Sequence, residues 1–123
     1  MAMRLALVAL GGALGSVLRY LLTGVVQGQS AFPTGTFMVN VLGCVAVGVV
    51  AGLTVDRSSL TTNARLFLMV GVCGGFTTFS AFGYETLRLI ESGELWRAGL
   101  NAGGQLLTGL AGVWAGLALA GWR

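Results

Sequence analysis

The stretch GVCGGFTTFSAF, residues 71–82, decides how this chain folds. It lies in the middle of an apolar segment bounded by Arg65 and Arg88, where one smooth transmembrane helix would be expected. Instead, Gly74-Gly75 is followed by Thr77-Thr78, and both glycine and β-branched threonine are weak helix formers. Hydrocarbon tolerates unpaired backbone groups only where they are buried in protein or line a watery cavity. The stretch therefore predicts a broken helix that forms a binding site, with an ion held by the freed carbonyl or amide groups.

The composition is that of an integral membrane protein. The 123 residues have a mean hydropathy of +0.86 and only 9% are charged, against about 25% in soluble domains. The length predicts one domain over residues 1–123. The net charge of +3 is too small to indicate nucleic-acid binding. With no lysine, the chain has no phosphate-binding Walker loop for a nucleotide, and with no histidine it has little acid–base machinery for an enzyme.

Apolar windows predict four membrane spans. They cover residues 5–26, 36–54, 65–88 and 96–122, and each is long enough to cross a bilayer. The break described above falls inside the third span. The sequence thus predicts an all-α fold of four transmembrane helices.

The arginines are nearly balanced between the two sides of the membrane. The side that holds both termini and the second loop has Arg4, Arg57, Arg65 and Arg123. The other side has Arg88 and Arg97, and also Arg19 if its side chain extends outward. Orientation by the positive-inside rule requires a clear asymmetry. The near balance favours a chain that inserts both ways up and forms an antiparallel homodimer; the alternative is that the small excess places the termini in the cytoplasm.

Two predicted helices carry polar residues on one face. Asn40 is the only amide in the second span, and an amide without a partner in lipid costs several kcal/mol. The fourth span has polar and small residues at three- and four-residue steps: Asn101, Gln105, Thr108, Gly112 and Gly116. Hydrogen bonds between helices would explain both faces. For Asn40 the structural and functional interpretations stay open, whereas three polar side chains on one face favour a lined pathway.

Phe79 and Phe82 share one face of the helix that follows the break. A packing stripe is the simpler explanation of such spacing. However, an aromatic ring has a positive edge, and ring edges can stabilise a small anion without a full charge that would trap it. The hydroxyls of Thr78 and Ser80 would be further neutral donors. The combination with the break favours an anion pathway.

Besides the arginines at the span ends, two charged residues fall inside the predicted spans. Arg19 lies within the first, and it would either extend to the nearer surface or attract anions from a vestibule. Glu85 lies near the end of the third span, at a spacing that allows a local ion pair with Arg88. We interpret Glu85 as structural.

Three motifs resemble those of the small bacterial fluoride channels called Fluc or CrcB. They are GGALGSVLRY at residues 11–20, GTFMVNVLG at 35–43, and GVCGGFTTFSAF at 71–82, and the resemblance covers all four spans. The third motif is highly specific, although Ala81 stands where the family often has threonine.

The resemblance implies a fluoride-selective channel that passively exports the anion from the cytoplasm across the bacterial inner membrane. It also implies an antiparallel, dual-topology homodimer with two fluoride pathways, lined by Asn40, Phe79 and Phe82 together with polar groups of the fourth helix. Finally, it implies a structural sodium ion on the dimer axis, held by the main-chain carbonyls of Gly74 and Thr77 from both subunits. Its other partners would be fluoride and membrane lipid.

The main alternative is a small four-helix, proton-coupled exporter of cationic compounds. Such a transporter needs an acid in its first span to bind a cation or a proton, and the first span here has Arg19 and no acid. A scaffold protein would explain the 21 glycines but not the broken helix with its phenylalanines. Fluoride conduction is therefore the favoured hypothesis.

Overall fold

The computed structural model describes residues 1–55 and 60–122, which form helices joined by short loops, with no strand among them. Four segments are long and apolar enough to cross a membrane: Ala2–Val26, Thr34–Thr54, Thr62–Glu91 and Leu95–Leu119. At about 1.5 Å per residue, each can cross a hydrocarbon core of roughly 30 Å. The chain is a multi-pass membrane protein, and the predicted all-α fold with four spans is confirmed.

The first two spans are single helices, α1 (Ala2–Val26) and α2 (Thr34–Val55). The third span has two parts. Residues 62–76, which we call α3, begin with a turn of α-helix, continue as a wider π-helix over Leu66–Cys73, and end with one α-helical turn at Gly74–Phe76. After the break, α4 covers Phe79–Glu91, and α5 covers Leu95–Leu119.

The span limits agree closely with those expected from the sequence. The first helix begins at Ala2 rather than at residue 5, and the last ends at Leu119 rather than at residue 122. The π-helical stretch was not expected, because its apolar residues show no period that separates it from an α-helix. Of the arginines that indicated dual topology, Arg57 and Arg123 lie outside the described residues.

The helices pack mainly as two pairs, α1 with α3 and α2 with α5. Glycines make both contacts possible, because they let the two backbones approach closely. A methyl group on Gly15 of α1 would lie 2.8 Å from the backbone nitrogen of Phe76, and one on Gly116 of α5 would lie 2.8 Å from that of Val49. Any side chain at either glycine would push its helix pair apart.

The interior of the described chain contains several polar side chains. Asn101 is fully buried, and Thr36 and Gln105 are also buried. Many large apolar side chains are exposed instead, including Val25, Trp96 and Leu119, each more than three-quarters exposed. Such a distribution suits a protein whose outer face contacts lipid or another apolar protein and whose polar groups must find partners inside.

Candidate functional site

The break in the third span is two residues long. Thr77 and Thr78 have extended backbone conformations, with φ and ψ of −80° and 158° and of −150° and 110°. Asn40 of α2 supplies a partner for both backbone polar groups of Thr78. Its Oδ1 accepts the Thr78 N–H at 2.8 Å, and its Nδ2 donates to the Thr78 carbonyl at 3.1 Å. The Asn40 amide therefore satisfies both backbone polar groups of Thr78 at membrane depth.

The same geometry takes helical hydrogen-bond donors away from carbonyl oxygens at the break. In an uninterrupted α-helix, the N–H of residue i+4 bonds to the carbonyl of residue i. The helical partner of the Gly74 carbonyl would be the Thr78 N–H, which is donated to Asn40 instead. The partner of the Thr77 carbonyl would be the Ala81 N–H, which is donated to the Thr78 hydroxyl at 3.2 Å. Gly74 and Thr77 are thus among the residues whose carbonyls lose their helical donors at the break. The carbonyls of Gly75 and Phe76 lose theirs as well, and that of Gly75 accepts the Ser16 hydroxyl at 3.4 Å.

The Thr78 hydroxyl caps the start of α4. Because the first N–H groups of a helix have no partner inside it, those of Phe79 and Ser80 are available at the break. Helix N-termini favour anions for this reason. The Ser80 hydroxyl lies 3.3 Å from that of Thr78, so hydroxyl and amide donors are grouped at one point.

A cavity of about 380 Å³ lies beside the break. Its wall is mostly apolar, with a few amide and hydroxyl groups. The lining residues are Asn40, Gly43, Cys44, Val47, Thr77, Thr78, Phe79, Phe82, Ala102, Gln105, Leu106 and Val113. A cavity of this kind, with few polar groups converging on one side, is typical of a binding site or pathway.

Both phenylalanines reach this cavity. The ring centroids of Phe79 and Phe82 are 5.4 Å apart, and the ring planes are tilted by 42°. Phe79 is 83% exposed in the single chain even though it lines the wall. One side of the cavity is therefore open in one copy of the chain.

The amides of α5 extend the Asn40 contact along the helix. Asn40 Nδ2 donates to Gln105 Oε1 at 2.7 Å, and Gln105 Nε2 donates to Asn101 Oδ1 at 2.8 Å. Asn101 Nδ2 then donates to the Thr86 hydroxyl at 2.8 Å, which itself donates to the Phe82 carbonyl at 2.7 Å. We call Asn40, Gln105, Asn101 and Thr86 the amide chain. The amide chain is hydrogen-bonded to the third span at both of its ends, to Thr78 at one end and to the Phe82 carbonyl at the other.

Not every residue predicted for the pathway lies on the cavity wall. The wall includes Asn40, Thr78, Phe79, Phe82 and Gln105. Asn101 is buried behind Gln105, and Ser80 is exposed beside the break. Thr108 is exposed on another face of α5, and its hydroxyl donates to the Gly104 carbonyl of its own helix at 2.6 Å. Arg19 is half-buried on α1 and does not line this cavity.

The expected ion pair between Glu85 and Arg88 is wrong. Arg88 instead pairs with Glu91 at 3.0 Å, because that carboxylate lies beside it on the exposed face of the helix end. Glu85 Oε1 accepts the Thr36 hydroxyl at 2.7 Å, and Oε2 is buried with no partner among the described residues. Glu85 lines a second cavity of about 370 Å³ near the first loop.

Sequence reasoning missed the part that Thr86 plays in the amide chain. Thr86 lies 15 residues from Asn101 along the chain, and no local pattern joins them. The one available signal was that Thr86 shares a helix with Phe82 at four-residue spacing, where a threonine hydroxyl commonly bonds to the preceding carbonyl.

Residues 6–117 match the family model described as CrcB-like protein, Camphor Resistance (CrcB). The chain is 51% identical over 116 residues to the fluoride-specific ion channel FluC of Nitratidesulfovibrio vulgaris, covering 93% of this chain and 94% of that protein. It is 50% identical over 120 residues to a FluC of Thermus thermophilus, covering 96% and 95% of the two chains. A protein of the same name from Phocaeicola vulgatus is 47% identical over 115 residues, with 92% and 94% covered. The broken third span, the asparagine that closes it and these matches over nearly the whole length place the chain in the CrcB family.

Proposed function

We propose that this protein is a fluoride-specific ion channel that lets cytoplasmic fluoride leave the cell passively. The observation that carries the proposal is family membership over nearly the whole chain, with relatives of about half-identical sequence named as fluoride-specific channels. The cavity chemistry agrees, because its polar groups are neutral amides and hydroxyls and its aromatic residues offer ring edges. The cation-exporter alternative receives no support, since α1 contains no acid.

The physiological logic follows from acid–base chemistry. Hydrogen fluoride crosses membranes as a neutral weak acid and dissociates in the cytoplasm, where the anion is trapped. A membrane that is negative inside drives an anion outward, so a passive channel in the inner membrane suffices. No nucleotide is needed, which agrees with the absence of lysine and of a Walker loop from the sequence.

The wall is suited to weak, rapid binding. Asn40 has two amide hydrogens, and they are donated to the Thr78 carbonyl and to Gln105 Oε1. A fluoride ion that accepts from Asn40 therefore competes with Gln105 for a hydrogen. The backbone N–H groups at the start of α4 and the ring edges of Phe79 and Phe82 supply the rest of the stabilisation of the anion. Because no single contact dominates, the anion can both enter and leave.

Liposomes that contain the purified protein should release fluoride rapidly and chloride at close to the rate of protein-free liposomes. Ion-selective electrodes measure both effluxes under the same potassium gradient. We expect selectivity because the wall offers few strong donors, and only a small anion can approach them all. Equal rates of fluoride and chloride release would contradict the proposal.

We propose that the working unit is an antiparallel homodimer with two pathways. Two features of the single chain support it. Phe79 lines the cavity but is largely exposed, so a second copy would supply the open side of the wall. Gly74 is also exposed, and a methyl group built on it would meet nothing closer than 3.9 Å. The open space beside Gly74 would let the third span of a second copy approach closely, as a symmetric contact between the two spans requires.

Reporters fused to the C-terminus should be found on both sides of the membrane. The physical reason is the near balance of arginines between the two sides. An alkaline-phosphatase fusion and a green-fluorescent fusion, which are active on opposite sides, should both give signal from this one sequence. A single orientation in a chain that still conducts fluoride as a homodimer would exclude dual topology.

We propose that the dimer holds a structural sodium ion through the carbonyls of Gly74 and Thr77 from both subunits. The residues fit this role, because these are the carbonyls whose helical donors are bonded to Asn40 and to the Thr78 hydroxyl. Unwound carbonyls of a broken transmembrane helix are suitable sodium ligands. The ion would neutralise the oxygens that the break exposes and join the two third spans.

A further inference from the structure

We propose that the amide chain positions the carbonyls at the break, so that Gln105, Asn101 and Thr86 control cation binding without touching the cation. The inference rests on the sodium site proposed above. Asn40 is the link, because its Oδ1 takes the N–H that would otherwise bond to the Gly74 carbonyl. Whatever fixes the Asn40 amide therefore also fixes how freely that carbonyl can bind an ion.

The direction of the amide chain is set at both of its ends. The Thr78 backbone N–H can only donate, and the Phe82 carbonyl can only accept. Between them every link runs the same way, from Thr78 N–H through Asn40, Gln105, Asn101 and Thr86 to Phe82. Rotating the Asn40 amide by half a turn would place two donors against each other at Thr78. The amide chain thus holds Oδ1 of Asn40 toward the break.

Burial makes the members of the amide chain depend on one another. Asn101 is fully buried and Gln105 is 9% exposed, so water does not readily replace a lost partner. Buried hydrogen bonds reinforce one another, and a donor or acceptor left unpaired is costly. Removing a distant member should therefore loosen Asn40, and a loosened Asn40 lets the Thr78 N–H return toward the Gly74 carbonyl.

The test is the sodium dependence of thermal unfolding of the purified full-length protein in detergent. Sodium chloride is exchanged for N-methylglucamine chloride at constant ionic strength, and the unfolding midpoint is followed as sodium rises. A ligand that binds only the folded protein raises this midpoint with concentration. Gln105→Met keeps the length of the side chain but removes both of its hydrogen bonds. In this variant, the sodium concentration that gives half of the maximal rise in the unfolding midpoint should be about ten times higher.

Thr86→Val is the milder variant, since it removes only one hydroxyl at the far end of the chain. Its half-stabilising sodium concentration should rise about threefold, and it keeps the test decisive if Gln105→Met does not fold. Thr54→Val is the matched control, because the Thr54 hydroxyl donates to the Ala51 carbonyl of its own helix at 2.6 Å, outside the chain. Its sodium dependence should equal that of the unaltered protein.

If Gln105 and Thr86 had only a packing role, each variant would have a lower unfolding midpoint, and the size of that decrease would not depend on the sodium concentration. That result, with unchanged sodium dependence, would overturn the inference. Absence of any sodium effect on the unaltered protein would overturn it as well. Fluoride efflux is measured separately, so either failure is distinguishable from failure of the proposed channel function.

Discussion

Asn40→Asp should reduce fluoride flux by about a hundredfold or more. An ionised aspartate has no N–H, so the Thr78 carbonyl and Gln105 Oε1 both lose their donor and face a carboxylate oxygen. The negative charge also stands on the cavity wall, where it repels an entering anion. Efflux from liposomes, compared with that of the unaltered protein at equal reconstitution, measures the effect.

Gln29→Glu provides the matched control for this variant. It makes the same amide-to-acid change at an exposed position in the first loop, so it should conduct normally. Gel filtration of Asn40→Asp establishes whether the proposed dimer still assembles, which separates a blocked pathway from an unfolded protein. Flux at the normal rate through Asn40→Asp would remove Asn40 from the pathway.

Phe79→Ile and Phe82→Ile should each slow fluoride flux by about fivefold, while the protein still assembles. Isoleucine keeps much of the bulk and apolarity of phenylalanine but lacks the ring quadrupole. A ring edge is expected to stabilise the anion by about 1 kcal/mol, by analogy with aromatic pairs. Losing this stabilisation on the cavity wall would raise the barrier to passage. The same liposome assay measures both variants.

The chain contains a second aromatic pair that serves as a control. Phe32 and Phe37 have ring centroids 5.8 Å apart and a tilt of 45°, much like the pair at the cavity, but neither lines it. Phe32→Ile should therefore leave flux unchanged. Normal flux through both Phe79→Ile and Phe82→Ile would reduce these rings to ordinary packing.

Much of the fold could be predicted because membrane insertion is governed by local composition. Runs of apolar residues longer than the hydrocarbon core predict spans wherever they occur, and the described helices agree with them. The break was also predictable from neighbouring residues, because Gly74-Gly75 and Thr77-Thr78 are poor helix formers. Family motifs then indicated Asn40 and the two phenylalanines.

Partners that are distant in the sequence could not be predicted this way. Glu85 has Arg88 one turn away, yet it bonds to Thr36, 49 residues distant. Thr108 has the spacing of Gln105 and Asn101, but the rotation of α5 exposes it and turns its hydroxyl to its own backbone. Helical spacing places residues on a common stripe, whereas the crossing of neighbouring helices decides which part of that stripe is enclosed.

By itself, the sequence determined that four helices cross the membrane and that the third is interrupted, since both properties depend on residues that are neighbours along the chain. Only the tertiary structure decided what closes the interruption. Asn40 is 38 residues from Thr78 and 65 from Gln105, and the close approach of the glycine-bearing helices brings them together. In lipid, a backbone without its own helix must find such a partner, and the partner chosen determines which carbonyls and amides stay free to meet an ion.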